Sequence, residues 1–75
     1  MSAEEFLSEI VWRSPEGEPL SCREKIKVLN ENLGEIRELA QEALEDAVLM
    51  GCDEEQFRSV VRALLDGLAN PYKKS

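Results

Sequence analysis

Five glutamates, Glu31, Glu35, Glu38, Glu42 and Glu45, recur at intervals of four, three, four and three, which places them on one stripe of a helix. Carboxylates at that spacing can collect a hard divalent cation or meet a basic protein surface. Cys22 and Cys52 are the two thiols, and the chain contains no His. Without imidazole there is no His-based triad, no His-ligated zinc and no His acid/base chemistry. No glycine-rich phosphate loop, no Ser or Cys nucleophile beside a base and no Lys in an apolar pocket can be assembled from the remainder. The expectation is a protein that is not an enzyme and uses no cofactor and no metal.

Each candidate has a plainer reading. The glutamate stripe lies opposite the apolar seam described below, whereas the metal sites of helical bundles point inward and use Glu-x-x-His. A solvated helix face is therefore expected, with a basic partner protein as the ligand if the stripe binds anything. Cys22 falls near the start of a helix, where backbone amides can activate a thiol. It is also a seam position, so a small buried hydrophobe is its expected role. Cys52 is expected to be exposed. A bridge between the two within one chain is excluded by an unbroken helix between them, because bridged alpha carbons approach to about 6 Å. In an antiparallel dimer Cys22 of one chain can approach Cys52 of the other. A thiol-based redox or stress switch is thus an alternative function.

Three stretches carry helix-start signals. Ser2 with Glu5, Ser21 with Glu24 and Asp53 with Gln56 are capping-box patterns, each ahead of an apolar-periodic run. They predict helices over about 3–12, 22–50 and 54–69, a turn or linker over 13–20, and a frayed tail over 70–75. Ser14-Pro15-Glu16-Gly17 reads as a type I turn. A competing reading pairs residues 10–13 with 18–20 as a small ribbon around it. It is disfavoured because isolated two-stranded ribbons are marginal and Pro19 lacks a ladder donor. Trp12 is expected to cap the core, with a partner anchor as the alternative. Asn70-Pro71 stops the third helix, and Glu54 with Arg58 and Arg62 with Asp66 are i,i+4 pairs.

In the central helix Cys22, Ile26, Leu29, Leu33, Ile36, Ala40, Ala43, Ala47 and Met50 are spaced 4, 3, 4, 3 throughout, a heptad seam suited to side-by-side packing. Gly34 falls on the far side. A helix of about 29 residues is roughly 43 Å long and the third helix only about 24 Å, so a fold-back leaves part of the seam uncovered. The predicted fold is all-α: a helical hairpin with a short N-terminal helix, forming a dimeric four-helix-type bundle, with a monomeric three-helix bundle as the alternative.

The whole chain frames these expectations. Its 75 residues are 43% hydrophobic and 33% charged, with a net charge of -7, which fits one small acidic helical domain spanning 1–75. A chain this short buries only about 60% of its unfolded surface, so a partner subunit is a natural supplement. Net acidity argues against nucleic acid as a partner. Glu4 and Glu5 stand where a secretory signal needs basic residues, and the longest apolar run is only Ala47 to Met50, so neither export nor a membrane span is expected. Together these predict a cytoplasmic, homodimeric protein-interaction module, with an inhibitor of a basic partner as a further alternative.

Overall fold

The computed structural model describes residues 2–72, and these form three helices in chain order, α1 (Ala3–Glu9), α2 (Arg23–Leu49) and α3 (Glu54–Asp66). The chain divides into two compact units, Met1–Gln41 and Glu42–Ser75. Among the described residues no helix is long and apolar enough to cross a membrane.

In the first unit, the Ser2 hydroxyl accepts from the Glu5 amide at 3.1 Å and starts α1, as the capping box predicts. The helix then stops at Glu9, short of the expected residue 12, because Ile10 turns extended at φ -73° and ψ 128°. Residues 10–13 do not continue the helix; the ribbon forms, though it pairs residues 12–14 with 18–20 and leaves Ile10 and Val11 outside the pairing. Leu20 N donates to Trp12 O and Ser14 N to Glu18 O, both at 2.8 Å, around an isolated antiparallel bridge between Arg13 and Pro19. Arg13 and Pro19 thus make a non-hydrogen-bonded pair, so the donor that proline lacks is never required.

The turn is the expected one, with Gly17 N donating to Ser14 O at 2.9 Å. Gly17 sits at φ +90°, the glycine position of a bulged hairpin end. Marginal stability is relieved from outside the ribbon. The Trp12 indole donates to Asn30 Oδ1 on α2 at 2.8 Å, which ties the ribbon to a helix.

α1 rests beside α2 at Gly34. A β-carbon built at Gly34 would meet Leu7 Cδ1 at 4.0 Å, and Gly34 is half-buried, so it lies under α1 and not on the far side as expected. That spacing is ordinary van der Waals contact, and a helix interior favours Ala over Gly by about 1 kcal/mol. Gly34→Ala should therefore raise the melting temperature by about 4 to 8 °C, readable by circular dichroism. A fall would mean that α1 packs closer than this contact allows.

The second unit holds the end of α2 and all of α3. Gly51, at φ +90°, ends α2 with its N–H on Val48 O at 3.1 Å and Cys52 N–H on Ala47 O at 2.8 Å, the two bonds of a Schellman motif. Just beyond this turn, the Asp53 carboxylate accepts from Gln56 N at 2.8 Å and α3 begins where its capping box predicts. α3 ends at Asp66 and not at 69. Gly67 donates to Ala63 O and Leu68 to Leu65 O, and Asn70 Oδ1 accepts from Tyr72 N at 2.8 Å around Pro71. The bias of a residue before proline against helix bears on Asn70 alone; the stop at Asp66 falls at Gly67, the C-cap, a residue that favours helix less than any other but proline. Of the expected tail, 73–75, with Lys73 and Lys74, lie outside the described residues.

Candidate interaction surfaces

The glutamate stripe is where the periodicity puts it: Glu31, Glu35, Glu38, Glu42 and Glu45 are all exposed on α2. Among the described residues no three His, Cys, Asp or Glu side chains converge as a metal-binding group. The ion pair that forms on α3 joins Arg58 and Glu54 at 2.9 Å, with both side chains about half exposed, so it adds only a few tenths of a kcal/mol. Arg62 instead approaches the Ser59 hydroxyl at 3.5 Å, at the outer limit for a hydrogen bond.

Both cysteines are free and exposed. For Cys22 this corrects the expectation of a buried seam residue. α2 begins at Arg23, and Cys22 stands just outside it with its carbonyl accepting from Ile26 N at 3.1 Å. A residue at that edge no longer shares the helical face that the heptad spacing assigns it. Cys52 lies beyond the other end of α2, with Sγ 3.5 Å from the Asp53 carbonyl.

The seam itself is unevenly covered. In the first unit Ile26, Leu29, Leu33 and Ala40 are half-buried, while Ile36 remains 49% exposed. Coverage comes from α1 and the ribbon: Phe6, Leu7, Leu33, Ile36 and Arg37 line one groove, and Leu20, Val28 and Leu29 line another. In the second unit Ala47 is buried and Ala43 exposed, and Leu44, Phe57 and Val61 are half-buried. A third groove there is lined by Leu44, Val48, Leu49 and Arg58. The grooves measure about 390, 460 and 400 Å³ and open to solvent, so a small molecule in any of them would keep much of its surface in water.

Two residues that matter were not singled out for these roles by periodicity. Asn30 holds the Trp12 indole, and Gly34 seats α1. For Asn30 the signal was chemical: a core-directed indole N–H needs an acceptor, and Asn30 offers an amide oxygen directly after the seam residue Leu29. For Gly34 the signal was a glycine inside a strongly patterned helix, which often marks close packing.

Open apolar side chains lie in both units; in the first, Leu39 is 69%, Val11 58%, and Phe6 and Val28 each 52% exposed. Val48, Leu49 and Met50 at the end of α2 are 50%, 85% and 81% exposed, and on or just beyond α3 Val60, Leu64, Leu65 and Leu68 are 59%, 65%, 48% and 71% exposed. Comparison with protein-family models, with curated proteins and with solved structures gives no match to this chain.

Proposed function

We propose that this chain is a small acidic protein-interaction module that works as a homodimer in the cytoplasm and carries no chemistry of its own. The observation that carries the reading is the open apolar surface of the second unit. Fully burying a Val, Leu or Met side chain contributes about 1.5 to 3 kcal/mol, which at about 25 cal/mol per Å² corresponds to roughly 60 to 120 Å². Scaled by their exposures, the seven side chains of that unit leave roughly 300 to 550 Å² of apolar surface in water. One side of a standard protein interface is about 800 Å², a little over half of it apolar, so covering all seven would take up about the apolar area of one such side.

Energetics support the same reading. Covering those side chains contributes about 7 to 14 kcal/mol per chain, and a two-fold dimer covers two sets against an association cost of about 4 to 15 kcal/mol. A unit of about thirty residues with one buried alanine needs such a supplement, since cores this small seldom sustain themselves. Sedimentation equilibrium across a concentration series is the test. The expected species has twice the 8.5 kDa chain mass. A well-folded 8.5 kDa monomer at every concentration would sink the reading.

A further inference from the structure

We infer that the groove of the second unit, between the end of α2 and the start of α3, receives a basic amphipathic helix of a partner protein. The inference rests on the interaction-module reading above and makes no use of its dimer. Leu44, Val48 and Leu49 from α2 meet Glu54 and Arg58 from α3 around a groove of about 400 Å³ that opens to solvent. Leu44 is half-buried, while Val48 is 50% and Leu49 85% exposed, so the apolar wall is partly covered at Leu44 and open at Leu49. Among the described residues this unit buries one hydrophobic side chain, Ala47. A third helix laid along the groove gives a helix pair the core it lacks, because its side chains seat between those of the other two. Such an occupant offers apolar anchors at i, i+3 or i+4, and i+7.

Charge fixes the chemistry of the occupant. The stretch that forms the groove, from Glu42 to Arg58, holds six carboxylates, Glu42, Glu45, Asp46, Asp53, Glu54 and Glu55, and one cation, Arg58. That cation is held by Glu54 at 2.9 Å, so its charge is balanced inside the groove. Glu45 lines the groove itself, and Glu42, three residues before it, shares its exposed face of α2. Of the three grooves described above, this is the one whose lining includes a residue of the glutamate stripe; the others carry Arg37 in one and Glu24 with Lys25 in the other. A cationic helix is attracted to such a rim, whereas a nucleic acid or an anionic membrane brings like charge to it. Val48 and Leu49 are then covered by the partner, and the other five open side chains of the unit are left to the dimer.

The probe is a fluorescein-labelled synthetic peptide of about 14 residues, with leucine at helical spacing on one face and lysine on the other, titrated with the full chain and read by anisotropy. Its controls are a scrambled peptide of the same composition and one with glutamate in place of lysine. Leu49→Ser and Glu45→Lys should each weaken binding of the Leu/Lys peptide at least about 10-fold, the first by removing an anchor and the second by placing like charge on the rim. Both positions are exposed, so helix content by circular dichroism should stay at the parent value. Leu39→Ser and Glu31→Lys, the matching changes at exposed positions of the first unit, should leave affinity within about threefold, since salt screens charges beyond about 8 Å. Equal affinity for either control peptide, equal losses in the first-unit variants, or no binding by the parent chain would overturn the groove assignment. Sedimentation of the parent separates the two readings: a dimer that binds no peptide leaves the module standing, and a monomer that binds none overturns both. Should Leu49→Ser weaken the dimer and spare peptide binding, the groove belongs to the second copy and the assignment falls.

Discussion

Ala47→Asp is expected to unfold the second unit. Ala47 is 7% exposed and is the buried hydrophobic residue among those described, so a carboxylate there has neither water nor an evident partner. An unpaired buried charge costs several kcal/mol even after local relaxation. A chain of this length has only about 4 to 11 kcal/mol of total stability, and the unit holding Ala47 has just Leu44, Phe57 and Val61 half-buried around it. Circular dichroism should therefore lose at least the share of α3, 13 of the 47 described residues in helix. Ala43→Asp is the control. It lies one helical turn earlier on an exposed position, where Asp costs only about 0.7 kcal/mol of helix propensity. Equal melting curves for the two variants would show that Ala47 is not the packed centre of its unit.

The second large effect is expected at Trp12. Complete burial would make Trp→Ala cost about 3 to 5 kcal/mol; half-burial scales this to about 2 to 3, or roughly 10 to 20 °C in melting temperature. The hydrogen bond can be separated from the ring. Trp12→Phe keeps most of the apolar area but removes the donor to Asn30 Oδ1, at a cost of about 1 kcal/mol. Asn30→Ala should cost a similar amount, and the double variant less than the sum of the two, because each single change already breaks the same bond. Trp12 is the chain's sole tryptophan, so its fluorescence reports directly on the ribbon. Unchanged emission and melting in Asn30→Ala would mean that the ribbon does not depend on this tie.

The two units differ in how they were legible. Ends of helices are local events, settled by a few adjacent residues, and several follow from sequence alone. Asp53 with Gln56 starts α3, Ser2 starts α1, and Gly51 closes α2 with the left-handed backbone that only glycine adopts without strain. The exposed glutamate stripe on α2 is equally local, since five residues at helical pitch must share a face once the helix forms. Where expectation and structure part, a non-local contact intervenes. Residues 10–12 have helical apolar spacing, yet they leave α1 because Trp12 reaches a partner eighteen residues away on α2.

Sequence by itself determined the number and order of the helices, the turn at Ser14 to Gly17 and the acidic outer face, because capping, turn chemistry and periodicity act within one or two turns of chain. Tertiary structure alone decided which apolar residues are covered. The heptad pattern ranks Leu29, Ile36 and Ala43 as equivalent seam positions, but the first is half-buried, in a groove it shares with Leu20, while the other two stay open. It likewise makes Leu64 and Leu68 equivalent to Phe57 and Val61, although only the latter pair gains partial cover. Periodicity states that a side chain shares an apolar face; burial depends on what stands opposite, and that is set by contacts between segments distant in the chain.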